Sequence, residues 1–213
     1  MNMKKFPEQR AANARGFTLI ELLVVMAIIA VLATLTMGAF SYAQQAAARN
    51  RTSGALAAIR AALEQYKEKF GEYPQPRNPA ALNEEGEVIG GAMMLYQAIT
   101  GDGTDEIMLT ESGSPSNGEI DENEIKNAIN SNLPPAMIYP PRSSMNAAVD
   151  IYLVDGFGRP FQYTKASTTG AATTINPTYD LWSFGNIEGN APTTVTIEDK
   201  SDVSITGPWI KNW

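Results

Sequence analysis

One carboxylate stands apart from the other acidic residues of this chain. Glu21 is the only ionisable side chain between Phe17 and Phe40, a run of 24 residues that is otherwise almost wholly apolar. At membrane depth an isolated carboxylate costs about 2.5–3.5 kcal/mol on insertion scales, so a residue of this kind so near the start of the run implies a partner. Elsewhere the chemistry-bearing residues are oxygens. Ser183, Glu188, Asp199 and Asp202 could together offer donors to calcium, which takes six to eight oxygen ligands; the same residues also read as a solvated acidic loop. Gly118-Glu119-Ile120-Asp121 with Glu124 fits the glycine, apolar and terminal-glutamate positions of an EF-hand loop. Its first two ligand positions would fall on Gly113 and Pro115, which offer no carboxylate, so a surface insertion is the simpler reading. The chain has no histidine and no cysteine. Ser-His and His-metal schemes, thiolate zinc and disulfides are therefore excluded, and no phosphate loop, nucleophile elbow or dinucleotide fingerprint is present. An enzyme is not expected.

These groups need elements to hold them. Residues 17 to about 70 read as one long helix, free of proline, with Gly38 and Gly54 its only glycines. The first 24 residues would extend about 36 Å, enough to cross a bilayer's hydrocarbon core. After Ser41 the pattern becomes amphipathic. Leu56, Ile59, Leu63, Tyr66 and Phe70 recur at steps of three and four and form one stripe, while Arg49, Arg51, Arg60, Glu64, Lys67 and Glu68 lie off it. Gly71 should cap the helix and Tyr73-Pro74 end it. A short helix is expected at Ala92–Thr100, an acidic and glycine-rich insertion over 101–145, and renewed helical character at Glu122–Asn130. From about residue 150 the period becomes that of strands: Ile151–Val154, a turn at Asp155–Gly158, a return strand Pro160–Thr164, and a third strand Tyr179–Phe184. Val195–Ile197 and Val203–Ile205 read as further strands. The expected architecture is α+β: a long N-terminal helix, transmembrane over 17–40 and amphipathic over 41–70, packed on a small antiparallel sheet in a globular head, 71–213.

The segment Gly16-Phe17-Thr18-Leu19-Ile20-Glu21 resembles the processing motif of type IV pilins and type II secretion pseudopilins. The resemblance implies that a membrane-embedded prepilin peptidase cuts after Gly16 and methylates the new terminus on Phe17, and that Glu21 is the assembly glutamate. Before the cut the Phe17 nitrogen is an uncharged amide; afterwards it is a cationic amine. The amine and Glu21 can then neutralise each other, within one subunit or between neighbours, which is far less costly in low dielectric than either charge alone. Asp155–Tyr163 and Asp180–Gly185 are similar to the sheet of the major pseudopilin, but Phe157 stands where tryptophan is usual. The aspartates and paired glycines of that family's calcium loop are missing after Gly185. Many type IV pilins close a C-terminal loop with a disulfide. This cysteine-free chain cannot, which favours a pseudopilin.

The formal net charge is −7, and the leader 1–16 carries Lys4, Lys5, Arg10 and Arg15 against Glu8, or +3, so the chain without it stands at −10. The basic leader should remain cytoplasmic, placing the head across the bacterial inner membrane, in the periplasm. An acidic head argues against a non-specific nucleic-acid binder, which needs a basic stripe. An ordinary secretory signal cut near Ser41-Tyr42-Ala43 fits less well, because the apolar run exceeds the usual 7–15 residues. The expected partners are further copies and other pilin-like subunits, the peptidase, and, by family, an assembly ATPase and an inner-membrane platform. The alternatives are a type IV pilus or DNA-uptake pilin and, from another class, a membrane-anchored binding module that never polymerises.

Overall fold

The computed structural model describes residues 16–104, 115–130, 133–141 and 150–213. Residues 1–15 of the expected leader and parts of the expected acidic insertion lie outside them. The chain divides into two compact units, Met1–Ala43 and Gln44–Trp213. The first helix, α1, spans Leu19–Phe70 and contributes to both.

In the first unit α1 starts two residues later than the apolar run, because Thr18 caps it. Every described residue of this unit is exposed, as expected of a helix that is apolar all round and finds no cover in its own unit.

In the second unit, here called the head, α1 buries Thr52, Ala55, Leu56, Ile59, Ala62, Leu63 and Tyr66. The stripe read from the sequence is thus the buried face, with Phe70 packed at its edge. Gly71 closes the helix in the left-handed region, φ +87°, and its N–H donates to Lys67 O at 2.8 Å. The second helix, α2, spans Gly90–Thr100 and is buried over nearly its whole length. Leu95 and Ile99 of α2 meet Leu63 and Tyr66 of α1 in one core with Phe161 and Leu181. Burying a large apolar side chain in such a core stabilises the fold by about 1.5–3 kcal/mol each.

Among the described residues, two small antiparallel sheets complete the head. Strand β1, Ile138–Tyr139, pairs with β2, Tyr152–Leu153. Strands β3, Gln162–Lys165, β4, Tyr179–Ser183, and β5, Ile210–Lys211, follow in the order β3-β4-β5. The hairpin expected between 151–154 and 160–164 is reduced to a single bridge, Val154 with Pro160, while the turn Asp155–Gly158 forms as expected. Two backbone bonds flank that bridge, Phe161 N–H donating to Leu153 O at 3.1 Å and Asp155 N–H to Arg159 O at 2.8 Å, and β2 pairs with β1.

Two expectations fail. Val195–Ile197 and Val203–Ile205 are not strands: α3 spans Ile197–Ser201 and α4 spans Val203–Thr206. Capping side chains at Thr196, Asp199 and Asp202 outweigh the β-branched residues that suggested strands. The helical character expected over Glu122–Asn130 is a set of turns, whose end is tied to α2 by Asn130 N–H donating to Ile99 O at 2.7 Å.

The turn after β2 lies directly on α1. Gly156 N–H donates to Thr52 Oγ1 at 2.9 Å. A Cβ at position 156 would come within 2.3 Å of Ala48 O, so only glycine permits this approach.

Candidate functional site

The N-terminal residues singled out by sequence form one local constellation. Gly16 and Phe17 are exposed, Phe17 at 87%. Thr18 is the N-cap of α1 and Glu21 its third helical residue. Thr18 N–H and Thr18 Oγ1 both donate to Glu21 Oε2, at 2.8 and 2.9 Å, and Glu21 N–H donates back to Thr18 Oγ1 at 3.3 Å. This is a capping box, which satisfies two backbone donors that the first turn of a helix leaves open. Reading the sequence for a cation to match Glu21 overlooked this local role, although the Thr-x-x-Glu spacing signals it directly. The cap also places the carboxylate at the positive end of the helix dipole.

Residues 11–37 match the family described as the prokaryotic N-terminal methylation motif. The matched stretch contains Gly16, Phe17, Thr18 and Glu21 and most of the apolar part of α1. No curated protein and no solved structure matches the chain. Among the described residues α1 is the one helix long and apolar enough to cross a membrane. A methylation motif heading a single apolar helix, on an α+β fold in which that helix packs on a small antiparallel sheet, is consistent with a pilin-type subunit in general.

The C-terminal oxygens expected to gather around calcium have other occupations. Ser183 is buried and donates its hydroxyl to Asp155 Oδ2, while accepting Gly185 N–H at 2.9 Å. Glu188 lies exposed on the loop after β4. Asp199 Oδ2 accepts Thr196 N–H and Oγ1–H at 2.8 and 2.9 Å, the capping box of α3. Asp202 Oδ1 accepts Ser204 N–H and Oγ–H at 2.8 and 2.7 Å, the cap of α4. These bonds hold both carboxyls below the usual aspartate range. Among the described residues no group of three or more histidine, aspartate or glutamate side chains could hold a metal ion. The structure does not gather these four side chains into one metal-binding group: Asp199 and Asp202 cap helices, Ser183 is bonded to Asp155, and Glu188 stands exposed.

A built-in cation sits at this end of the head. Lys200 is 2% exposed, and its Nζ donates to Asp180 Oδ2 at 2.9 Å and to Thr173 O at 3.0 Å. It lies 4.6 Å from the centre of the Trp182 ring. Asp180, itself fully buried, also accepts Ile175 N–H and Asn176 N–H at 2.8 and 3.0 Å. Burial pulls the Lys200 ammonium below its ordinary pKa, and Asp180 opposes that shift. Burial pushes Asp155 up, against the bonds it accepts from Ser183, Arg159 and Phe157. Sequence reading missed Lys200 because nothing local marks a lysine whose partner lies 20 positions away.

The EF-hand-like loop is likewise occupied with its own folding. Asp102, fully buried, accepts Asn117 N–H at 2.9 Å, Gly118 N–H at 2.8 Å and the Tyr96 hydroxyl at 2.8 Å. Glu124 accepts Gly103 N–H at 2.9 Å and Asp121 N–H at 3.0 Å. Gly113, one of the ligand positions considered, lies outside the described residues.

Proposed function

We propose that this protein is a structural subunit of a pilus-like fibre, and more specifically a pseudopilin of a type II secretion system that supports protein export. The observation that carries the reading is Glu21. It is the sole ionisable group of the apolar run, fixed in the first turn of α1 by Thr18, inside a matched methylation motif.

The precursor sits in the inner membrane with its basic leader cytoplasmic and its head periplasmic. Prepilin peptidase hydrolyses the Gly16–Phe17 peptide bond, leaving a carboxylate on Gly16 and an amine on Phe17, which is then methylated. Capping gives Glu21 hydrogen bonds but no countercharge. The new cationic terminus of the same or a neighbouring subunit supplies one, and the gain is large because both charges are otherwise unpaired in a medium of low dielectric. Pairing of this kind sets the axial register of parallel helices. Repeated head-to-tail, a contact that does not close on itself produces a helical filament. Other pilin-like subunits, an assembly ATPase and an inner-membrane platform are the partners this role calls for. The role is structural rather than catalytic, and the acidic head does not suit a nucleic-acid tip.

Mass spectrometry of the native protein tests the processing step. The expected species begins at N-methylated Phe17; a chain retaining residues 1–16, or starting elsewhere, overturns the reading. Glu21→Ala should still be cleaved but should form no fibre. A plain membrane anchor would show no assembly phenotype to lose.

A further inference from the structure

Gly54 lies in mid-helix where glycine is unfavourable by about 1 kcal/mol relative to alanine, yet nothing among the described residues requires it. A Cβ there would meet no atom within 4 Å. The open space is an apolar groove of about 550 Å³ between one face of α1 and the segments 133–137 and 154–158. The α1 face is Arg51, Gly54, Ala55 and Ala58, at the spacing of residues that line up along a helix. Arg51 is exposed and is the only cationic residue of the described lining; Asp155, the acid there, is buried, its carboxylate accepting the Ser183 hydroxyl and the Phe157 and Arg159 N–H groups. Two small residues four apart, Gly54 and Ala58, allow a second helix to approach closely.

We infer that this groove receives the apolar helix of a second copy of the chain, with Glu21 of that copy set against Arg51. The inference rests on the fibre reading above and names a surface that reading leaves open. Its support is a match in both charge and size. Glu21, Val24, Val25 and Ile28 share one face at the same three-four-seven spacing as Arg51, Gly54, Ala55 and Ala58. Laid parallel and shifted by 30 positions, the two faces bring the only acid of the apolar run onto the only cation of the groove. Val24 then meets Gly54, Val25 meets Ala55, and Ile28 meets Ala58, branched side chains over small ones. Val24, Val25 and Ile28 are exposed in their own chain. The shift corresponds to an axial offset of about 45 Å between the paired copies. Arg51 thereby provides Glu21 with a second countercharge beside the processed terminus.

The test uses the full chain, expressed with its own assembly machinery. Gly54→Leu adds apolar bulk where a Cβ has open space and removes a mid-helix glycine, so its head should melt no lower than the parent while fibre yield falls at least tenfold; Gly54→Ala should assemble. Because the chain has no cysteine, introduced pairs report cleanly. Oxidised fibres of Ile28→Cys/Ala58→Cys should give a ladder of covalent multimers, and those of Ile28→Cys/Ala57→Cys, turned about 100° away, should not. Parent-level fibres from Gly54→Leu, or equal ladders from the two cysteine pairs, overturn the inference while leaving the fibre reading standing. An unaltered chain that forms no fibre overturns both.

Discussion

Thr18 and Thr196 head the longest and one of the shortest helices of this protein, 52 and five residues, with nearly the same geometry. In each case the threonine N–H and hydroxyl reach a carboxylate three residues on, at 2.8 and 2.9 Å. The backbone N–H of the acidic residue returns to the hydroxyl at 3.3 Å in one and 3.2 Å in the other. The surroundings differ. Asp199 has Glu198, Lys200 and Asp202 as neighbours, and α3 is fastened to the head through Lys200. Glu21 has no charged neighbour up to Phe40 and no buried residue around it. A cap satisfies amides but does not cancel charge. Water does that for Asp199; in an apolar medium a cation must do it for Glu21. Under the proposed fibre role, the same local chemistry is structural at one end and available for assembly at the other.

The contrast between the two caps rests most on the charge of Glu21. Glu21→Gln keeps an oxygen able to cap Thr18 but loses the charge. Cleavage should persist in the mass spectrum while fibre yield drops at least tenfold, and normal fibres would mean that the cap alone matters. Asp199→Asn should leave assembly untouched. Next in size is Lys200→Met, which leaves Asp180 buried without its cation. Removing one partner of a buried pair costs about 3–5 kcal/mol. Denaturation followed by tryptophan fluorescence should register this loss, since Trp182 packs against the ammonium. A smaller effect is expected from Thr196→Ala, about 1 kcal/mol, by the same measurement. The smallest is a pH effect. The folded-state pKa values of Asp199 and Asp202 lie below the ordinary 3.8, so their contribution is complete at neutral pH and disappears as pH falls through the folded-state values. Asp155 has the opposite sign: burial raises its folded pKa, so its ionisation weakens the fold as pH rises past 3.8. Denaturation midpoints of Thr196→Ala and the parent should therefore converge in acid.

Sequence alone revealed what local periodicity encodes. The stripe from Leu56 to Phe70, the stop at Gly71, α2, and strands β3 and β4 all follow from spacing or glycine placement. Strands of two residues such as β1 and β5 carry no period, and their partners lie up to about 30 positions away, so they could not be read. At Val195–Ile197 and Val203–Ile205 the branched side chains pointed to strands, while the capping signals Thr196-x-x-Asp199 and Asp202-x-Ser204 were the stronger local force. The same kind of signal stands at Thr18-x-x-Glu21, where the charge of Glu21 masks its capping role. Asp102 and Lys200 act across distances in sequence that no local pattern reports.

The crowding at Gly156 bears on how this protein can be labelled for microscopy. A tag inserted between Asp155 and Gly158 would lift that turn from the carbonyl of Ala48 and detach it from α1. The loop from Thr168 to Ala172 is exposed, and a Cβ at Gly170 would meet no described atom within 4 Å. A reporter peptide placed in that loop would display itself on the head while leaving the turn seated.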